Sequence, residues 1–206
     1  GYLTINGQKM SKSRGTFITA RQYLAHLDPQ YLRYYFATRL NQHFEDVDLN
    51  WADFQQRINA ELIGKYINIA SRSARFIEKN FASTLADSLE NPEQFVAFAK
   101  RGEAISEAYQ ERDYSKATRL IMELADQVNQ YFDHHKPWVL IKESAHSDIV
   151  QKICTQAINH FMQLSIFLKP ILPKVVAQVE AWLQSGPLDW LRLDQPLLHT
   201  KINPYQ

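Results

Sequence analysis

Cysteine is nearly absent from this 206-residue chain. Cys154 stands alone, which excludes an internal disulfide and any Cys-rich zinc site and fits a reducing cytosol, so a cytoplasmic location is expected. Net charge is equally scarce. The formal balance is +1, so no basic tail carries nucleic-acid affinity and any RNA site must be a local patch. No apolar run approaches the roughly 20 residues that a membrane span requires, and no signal peptide is recognisable. What remains is an ordinary globular balance, 45% hydrophobic and 22% charged, sufficient for one or two domains with real cores.

One further absence is local. Residues 1–27 contain no Asp or Glu, while Lys9, Lys12, Arg14 and Arg21 give that stretch a charge of +4 in a chain that is otherwise about neutral. Gly7 and Gly15 flank a polar run there, which reads as a flexible basic loop between a short strand, Tyr2–Ile5, and a helix. Because the chain opens directly into that strand, it reads as a fragment of something already under way. Thr19 with Gln22 forms a capping box, and Asp28-Pro29 starts a second helix, Tyr31–Leu40. Residues 43–50 read as an acidic connector, after which Asn50 caps a long helix over about 51–81. At 100° per residue, Ile58, Leu62, Ile63, Tyr66, Ile67, Ala70, Ala74, Ile77 and Phe81 fall on one face. Glu61, Lys65, Asn68, Arg72, Arg75 and Lys79 form a polar stripe on the other, expected to face solvent.

After a linker with Pro92, helices are expected over 93–111 and 115–134. In the second, Ala117, Leu120, Ile121, Leu124, Val128 and Phe132 point inward, and Asn129 and Asp133 outward together. Lys136-Pro137 stops it and presents Trp138. A helix over 147–169 is expected to bury Val150, Ile153, Ala157, Phe161, Leu164 and Leu168. Pro170 and Pro173 separate it from a last helix, 174–184, and an irregular tail follows. No other strand is evident. The expected fold is all-α, an antiparallel helix bundle with a short strand, loop and helix connector at its N-terminal end. The divisions are 1–45 for the loop and connector, 46–186 for the bundle and 187–206 for the tail. Tyr34, Tyr35 and Phe36 read as packing residues. His134-His135 lacks ligand spacing, so no metal site is expected.

Lys9-Met10-Ser11-Lys12-Ser13 is a specific string. It matches the KMSKS motif of class I aminoacyl-tRNA synthetases, and its setting of preceding strand, glycines and following helices agrees. The residue types suit the chemistry. Activation of an amino acid by ATP expels pyrophosphate, and lysine is a mobile point charge able to follow phosphate oxygens. Serine hydroxyls can donate hydrogen bonds, and the glycines let the loop open and close. The resemblance implies that Lys12 stabilises the pyrophosphate side of the transition state and that Lys9 is an auxiliary phosphate contact, the five residues together forming the ATP and pyrophosphate loop.

The wider chain resembles methionyl-tRNA synthetases of the bacterial type. The likeness runs through Asn6-Gly7 to Phe17, Arg33-Tyr34-Tyr35, Asp46-Val47-Asp48-Leu49-Asn50, Asn68-Ile69-Ala70-Ser71-Arg72, Pro137-Trp138 and Leu168-Lys169-Pro170-Ile171-Leu172-Pro173. That resemblance implies a CAU anticodon read by Asn68 and Arg72, an anticodon base stacked on Trp138, and support from Asn129 and Asp133. By residue type alone Trp138 reads as core, since tryptophans are mostly buried. The whole enzyme would use methionine, ATP, Mg²⁺ and tRNA(Met), with zinc possible only in a catalytic part that this chain lacks. The HIGH motif, nucleotide-binding sheet and methionine pocket are also lacking. The chain by itself is therefore expected to be inactive, to bind no cofactor and to be monomeric. Another class I synthetase (for leucine, isoleucine, valine or cysteine), a non-catalytic tRNA-binding module and a purely structural bundle remain as alternatives.

Overall fold

The computed structural model describes residues 2–43 and 45–205; Gly1, Phe44 and Gln206, at the ends of the loop and tail divisions and within the connector, lie outside it. The N-terminal loop is more ordered than its composition suggests. Strand β1 (Leu3–Ile5) turns through Asn6 and Gly7, both at positive φ (47° and 74°), into a two-residue antiparallel strand β2 (Gln8–Lys9). Asn-Gly is the pair that such a two-residue hairpin turn favours. The connector also holds an unexpected strand, β3 (Val47–Leu49), which pairs parallel with β1 in the order β2-β1-β3. Three residues are too few for an alternation to show in sequence, and their partners lie more than forty positions away. Asp48 fastens the sheet: its carboxylate accepts from the Thr4 hydroxyl at 2.7 Å and from the Gly7 N–H at 2.8 Å.

Between β1 and β3 the chain forms α1 (Ala20–Leu24), with the Thr19–Gln22 capping box in place, and α2 (Pro29–Ala37), capped by Asp28. Tyr34 and Tyr35 are fully buried. Arg33 of α2 donates to the carbonyls of Ile171 and Pro170, each at 2.9 Å, and the Gln30 side chain accepts from the Lys174 and Val175 N–H groups. These bonds lock the connector onto the far end of the bundle.

A long helical spine follows. It begins as α3 (Trp51–Arg57), capped by Asn50, widens to a π-helical segment over Ile58–Ile67, and continues as α4 (Asn68–Asn80). The wide turns correct the 100° wheel. Ile63, expected inside, is 49% exposed, while Ile58, Leu62, Tyr66, Ala70 and Ala74, spaced every four residues, are buried. Helices α5 (Pro92–Gln110) and α6 (Tyr114–His135) form a hairpin, and Lys136 in a left-handed conformation ends α6 before the short α7 (Pro137–Leu140). Helix α8 (Ser147–Leu168) is followed by α9 (Pro173–Leu183).

Helix α8 departs most from the one-sided expectation, because every residue from Ile153 to Leu168 is buried. It is the central rod of the bundle. Its polar residues are satisfied by backbone. Thr155 accepts from the Ala86 N–H and Gln156 from that of Asn91. Asn159 exchanges bonds with both backbone groups of Leu197, and Gln163 donates to the carbonyls of Phe95 and Leu193. Buried polar groups need such partners, and here they pin loops and tail to the rod. The tail is irregular apart from one 3₁₀ turn at Trp190–Arg192, yet Leu188, Leu193, Leu197 and Ile202 are buried. Among the described residues no helix is long and apolar enough to cross a membrane.

Candidate functional site

Two clusters carry the residues of interest, one at each end of the stretch that joins the small sheet to the spine. In the first, β2 delivers Lys9, and Met10–Ser13 form the following turn. Thr16 shapes it. Its hydroxyl donates to the Lys9 carbonyl and accepts from the Ser11 N–H, both at 3.0 Å, while its own N–H donates to the Ser11 carbonyl at 3.2 Å. Gly15, at φ 69°, closes the turn. Ser11 and Ser13 share a hydroxyl bond of 3.0 Å, and Met10 packs against the core. Lys9, Lys12 and Ser13 are exposed, and the Lys12 ammonium lies 5.5 Å above the Phe17 ring. With no acidic side chain in residues 1–27, the loop offers cations and hydroxyl donors to solvent, a donor set suited to polyphosphate.

The loop is also tied to the spine. The Asn6 carboxamide accepts from the Trp51 N–H at 3.1 Å, so the hairpin turn sits on the first turn of α3. From there Asn68 is 17 positions along the spine. The two clusters are thus set apart by the first part of the spine.

The second cluster lies where the spine meets α6. Asn68 and Arg72 do not form a solvated stripe as the wheel suggested, because α6 runs alongside them. The Asn68 amide donates to the Asn129 carboxamide oxygen at 3.1 Å, and Asn129 donates to the carbonyls of Lys65 and Ala125. Lys65 pairs with Asp126 at 2.7 Å and Arg72 with Asp133 at 2.5 Å. Asn129 thus faces the spine, while Asp133, expected outside, is exposed and reaches Arg72 from there. The Arg72 guanidinium lies over two rings, 4.9 Å from the centroid of Phe132 and 5.4 Å from that of Trp138. Trp138, which residue type alone would place in the core, is 40% exposed on α7. The left-handed Lys136 and the following proline turn the chain sharply enough to bring the indole back beside Arg72.

A groove of about 400 Å³ opens beside this cluster, lined by Arg72, Arg75, Phe76, Lys79, Phe132, Trp138 and Ile141 among others. Phe76 and Ile141 were missed from sequence, and Phe132 was read only as core. Phe76 carried a signal, lying four residues after Arg72 on the same helix. Chemically, the cluster offers the exposed face of Trp138, the Asn68 amide and the planar cation of Arg72. Those are the groups that grip unpaired nucleic-acid bases by stacking and edge bonding.

Comparison with known proteins adds three findings. Residues 1–74, which include the basic loop and the spine through Arg72, match the family model described as tRNA synthetases class I (M). The fold as a whole is similar to Mycobacterium tuberculosis methionyl-tRNA synthetase in complex with methionyl-adenylate, with a TM-score of 0.89 at 20% identity over 100% of this chain and 42% of that one. It is also similar to the apo form of that enzyme, with a TM-score of 0.84 at 18% identity over 100% of this chain and 41% of that one. The chain thus spans about two fifths of the length of these structures.

Proposed function

We propose that this chain is the part of a bacterial-type methionine–tRNA ligase that carries the phosphate loop and reads the anticodon. In this reading residues 1–45 supply the loop and its connector, 46–186 the anticodon-binding bundle, and 187–206 a tail that braces it. The observation that carries the reading is the joining of a KMSKS string, inside the segment that matches the synthetase family, to a cluster in which Asn68 and Arg72 of the helical spine meet the exposed Trp138 of α7. The whole-chain likeness to methionyl-tRNA synthetase structures supports it.

Each end has its own task. When ATP and Mg²⁺ are held by the catalytic part, Lys12 and Lys9 meet the polyphosphate, and charge developing on departing pyrophosphate is balanced by the Lys12 ammonium. Ser11 and Ser13 supply further donors, and the Thr16 clasp keeps the turn from unravelling. At the other end Trp138 stacks an unpaired anticodon base, while Asn68 and Arg72 bond base edges and phosphate, their ion-pair and amide partners on α6 fixing both side chains. The loop contributes to the chemical step, and the cluster to the choice of tRNA.

The test of the loop is Lys12→Ala in the full-length ligase, followed by methionine-dependent ATP–pyrophosphate exchange. Loss of one such charge-stabilising group predicts a fall of about 100-fold or more in exchange rate, with tRNA affinity unchanged. A wild-type exchange rate in the variant would overturn the assignment of the loop. The present chain alone is predicted to show no exchange.

A further inference from the structure

Three aromatic rings neighbour one another beside Arg72. Trp138, Phe132 and Phe76 follow one another with centroids 6.3 Å and 6.2 Å apart, and the groove they line is also lined by Arg75, Lys79 and Ile141. The charge changes along it. Arg72 is held by a carboxylate of α6, whereas Arg75 and Lys79 are exposed and form no ion pair among the described residues. The Asn80 amide is turned onto its own helix, donating to the Phe76 carbonyl at 3.1 Å. This end of the groove is an apolar floor with a cationic rim and little capacity for reading base edges.

A nucleotide answers both features, since every base has a hydrophobic π face and every phosphodiester a negative charge. An apolar peptide segment would cover the floor and leave both cations without a counter-charge. We propose that this end of the groove takes one further unpaired nucleotide of the same RNA loop, next to the triplet. Its base rests against Phe76 and Ile141, and its phosphate lies within reach of Arg75 and Lys79. The inference rests on the anticodon-reading function proposed above and adds to it a base-tolerant contact outside the triplet.

The experiment titrates this chain with stem-loops bearing CAU, each with one abasic residue at a loop position outside the triplet. The proteins are wild type, Phe76→Leu, Arg75→Ala and Lys79→Ala, at several salt concentrations. For the wild type, removing the base at the one position beside the triplet is expected to weaken binding about tenfold, while exchanging it for another base changes binding less than about threefold. Phe76→Leu, which keeps the apolar volume but loses the ring, is expected to be insensitive to the abasic substitution. Each alanine variant is expected to lower the log–log salt slope by about one. Tight, CAU-selective binding that no flanking abasic residue weakens would overturn the proposal, as would salt slopes equal to wild type in both alanine variants. If Phe76→Leu fails to fold, the two exposed cation variants decide the matter. Loss of CAU selectivity in the wild type is a separate outcome: it removes the anticodon reading itself, and this inference with it.

Discussion

Asn129 closes the seam between the spine and α6 with a single carboxamide. Its oxygen accepts from Asn68, and its nitrogen donates to the Lys65 and Ala125 carbonyls. Truncation to alanine leaves the half-buried Asn68 amide without its partner and removes the second bond to two helix carbonyls, so Asn129→Ala is predicted to cost about 1–3 kcal/mol, read as a shift in the urea midpoint. Asn129→Asp should cost as much, because an acceptor-only carboxylate keeps the bond from Asn68 but confronts two carbonyls. A change within about 0.5 kcal/mol in both would mean that water replaces the amide freely. At this scale the sequence was partly legible. Tyr34 and Tyr35 read as packing residues and are wholly buried. Trp138 read as core by its type, and only resemblance suggested an exposed stacking face. Only resemblance grouped Asn68 and Arg72 with Asn129 and Asp133, 61 positions on, because a helical wheel shows a face and not what packs against it.

Among the elements, the spine shows both the reach and the limit of periodicity. Ile58, Leu62, Tyr66, Ala70 and Ala74 recur every fourth residue. In an α-helix such a row drifts about 40° per step, whereas wider π turns, closing bonds to the fifth residue, pull it back toward the axis. The strict spacing was visible, but a fixed 100° step hid its meaning and put Ile63 inside. The central helix α8 exposed a different limit. Its polar residues lie inside with the apolar ones, bonded to buried backbone or to one another. His160 is the sharpest case. Its ring bonds Gln156 at 2.8 Å and Gln163 at 2.9 Å and lies against Phe98, and burial lowers its pKa to about 4. An unfolded histidine takes up its proton near 6.5. Between those values the unfolded chain binds the extra proton and the native one does not, so stability is intact above about 6.5 and is lost as pH falls toward 4. The full effect is about 3 kcal/mol. Urea midpoints measured from pH 7 to pH 4.5 should fall more steeply for wild type than for His160→Gln, and equal slopes would contradict this account.

At the scale of the whole molecule, long-range hydrogen bonds tie the small sheet, the connector and the tail to the helices. The connector is bolted to the start of α9 by Gln30 and Arg33, the sheet to the spine by Asn6, and the tail to the central rod by Asn159 and Gln163. The all-helical bundle and its main breaks were legible, because prolines, caps and apolar spacing are local signals. The docking of residues 30–33 onto 170–175 was not, although both segments had been singled out by resemblance. Contacts made across some 140 positions leave no local pattern.

The central claim is that the cluster around Trp138 reads an anticodon. The most direct measurement is the affinity of this chain for a CAU stem-loop beside one with the middle base changed, for wild type and Trp138→Ala. The account predicts tight binding to CAU, weakened about 10-fold or more by the base change and similarly by loss of the stacking ring. Equal, weak and strongly salt-dependent binding to both RNAs, unaffected by Trp138→Ala, would contradict it and reduce the cluster to a basic surface.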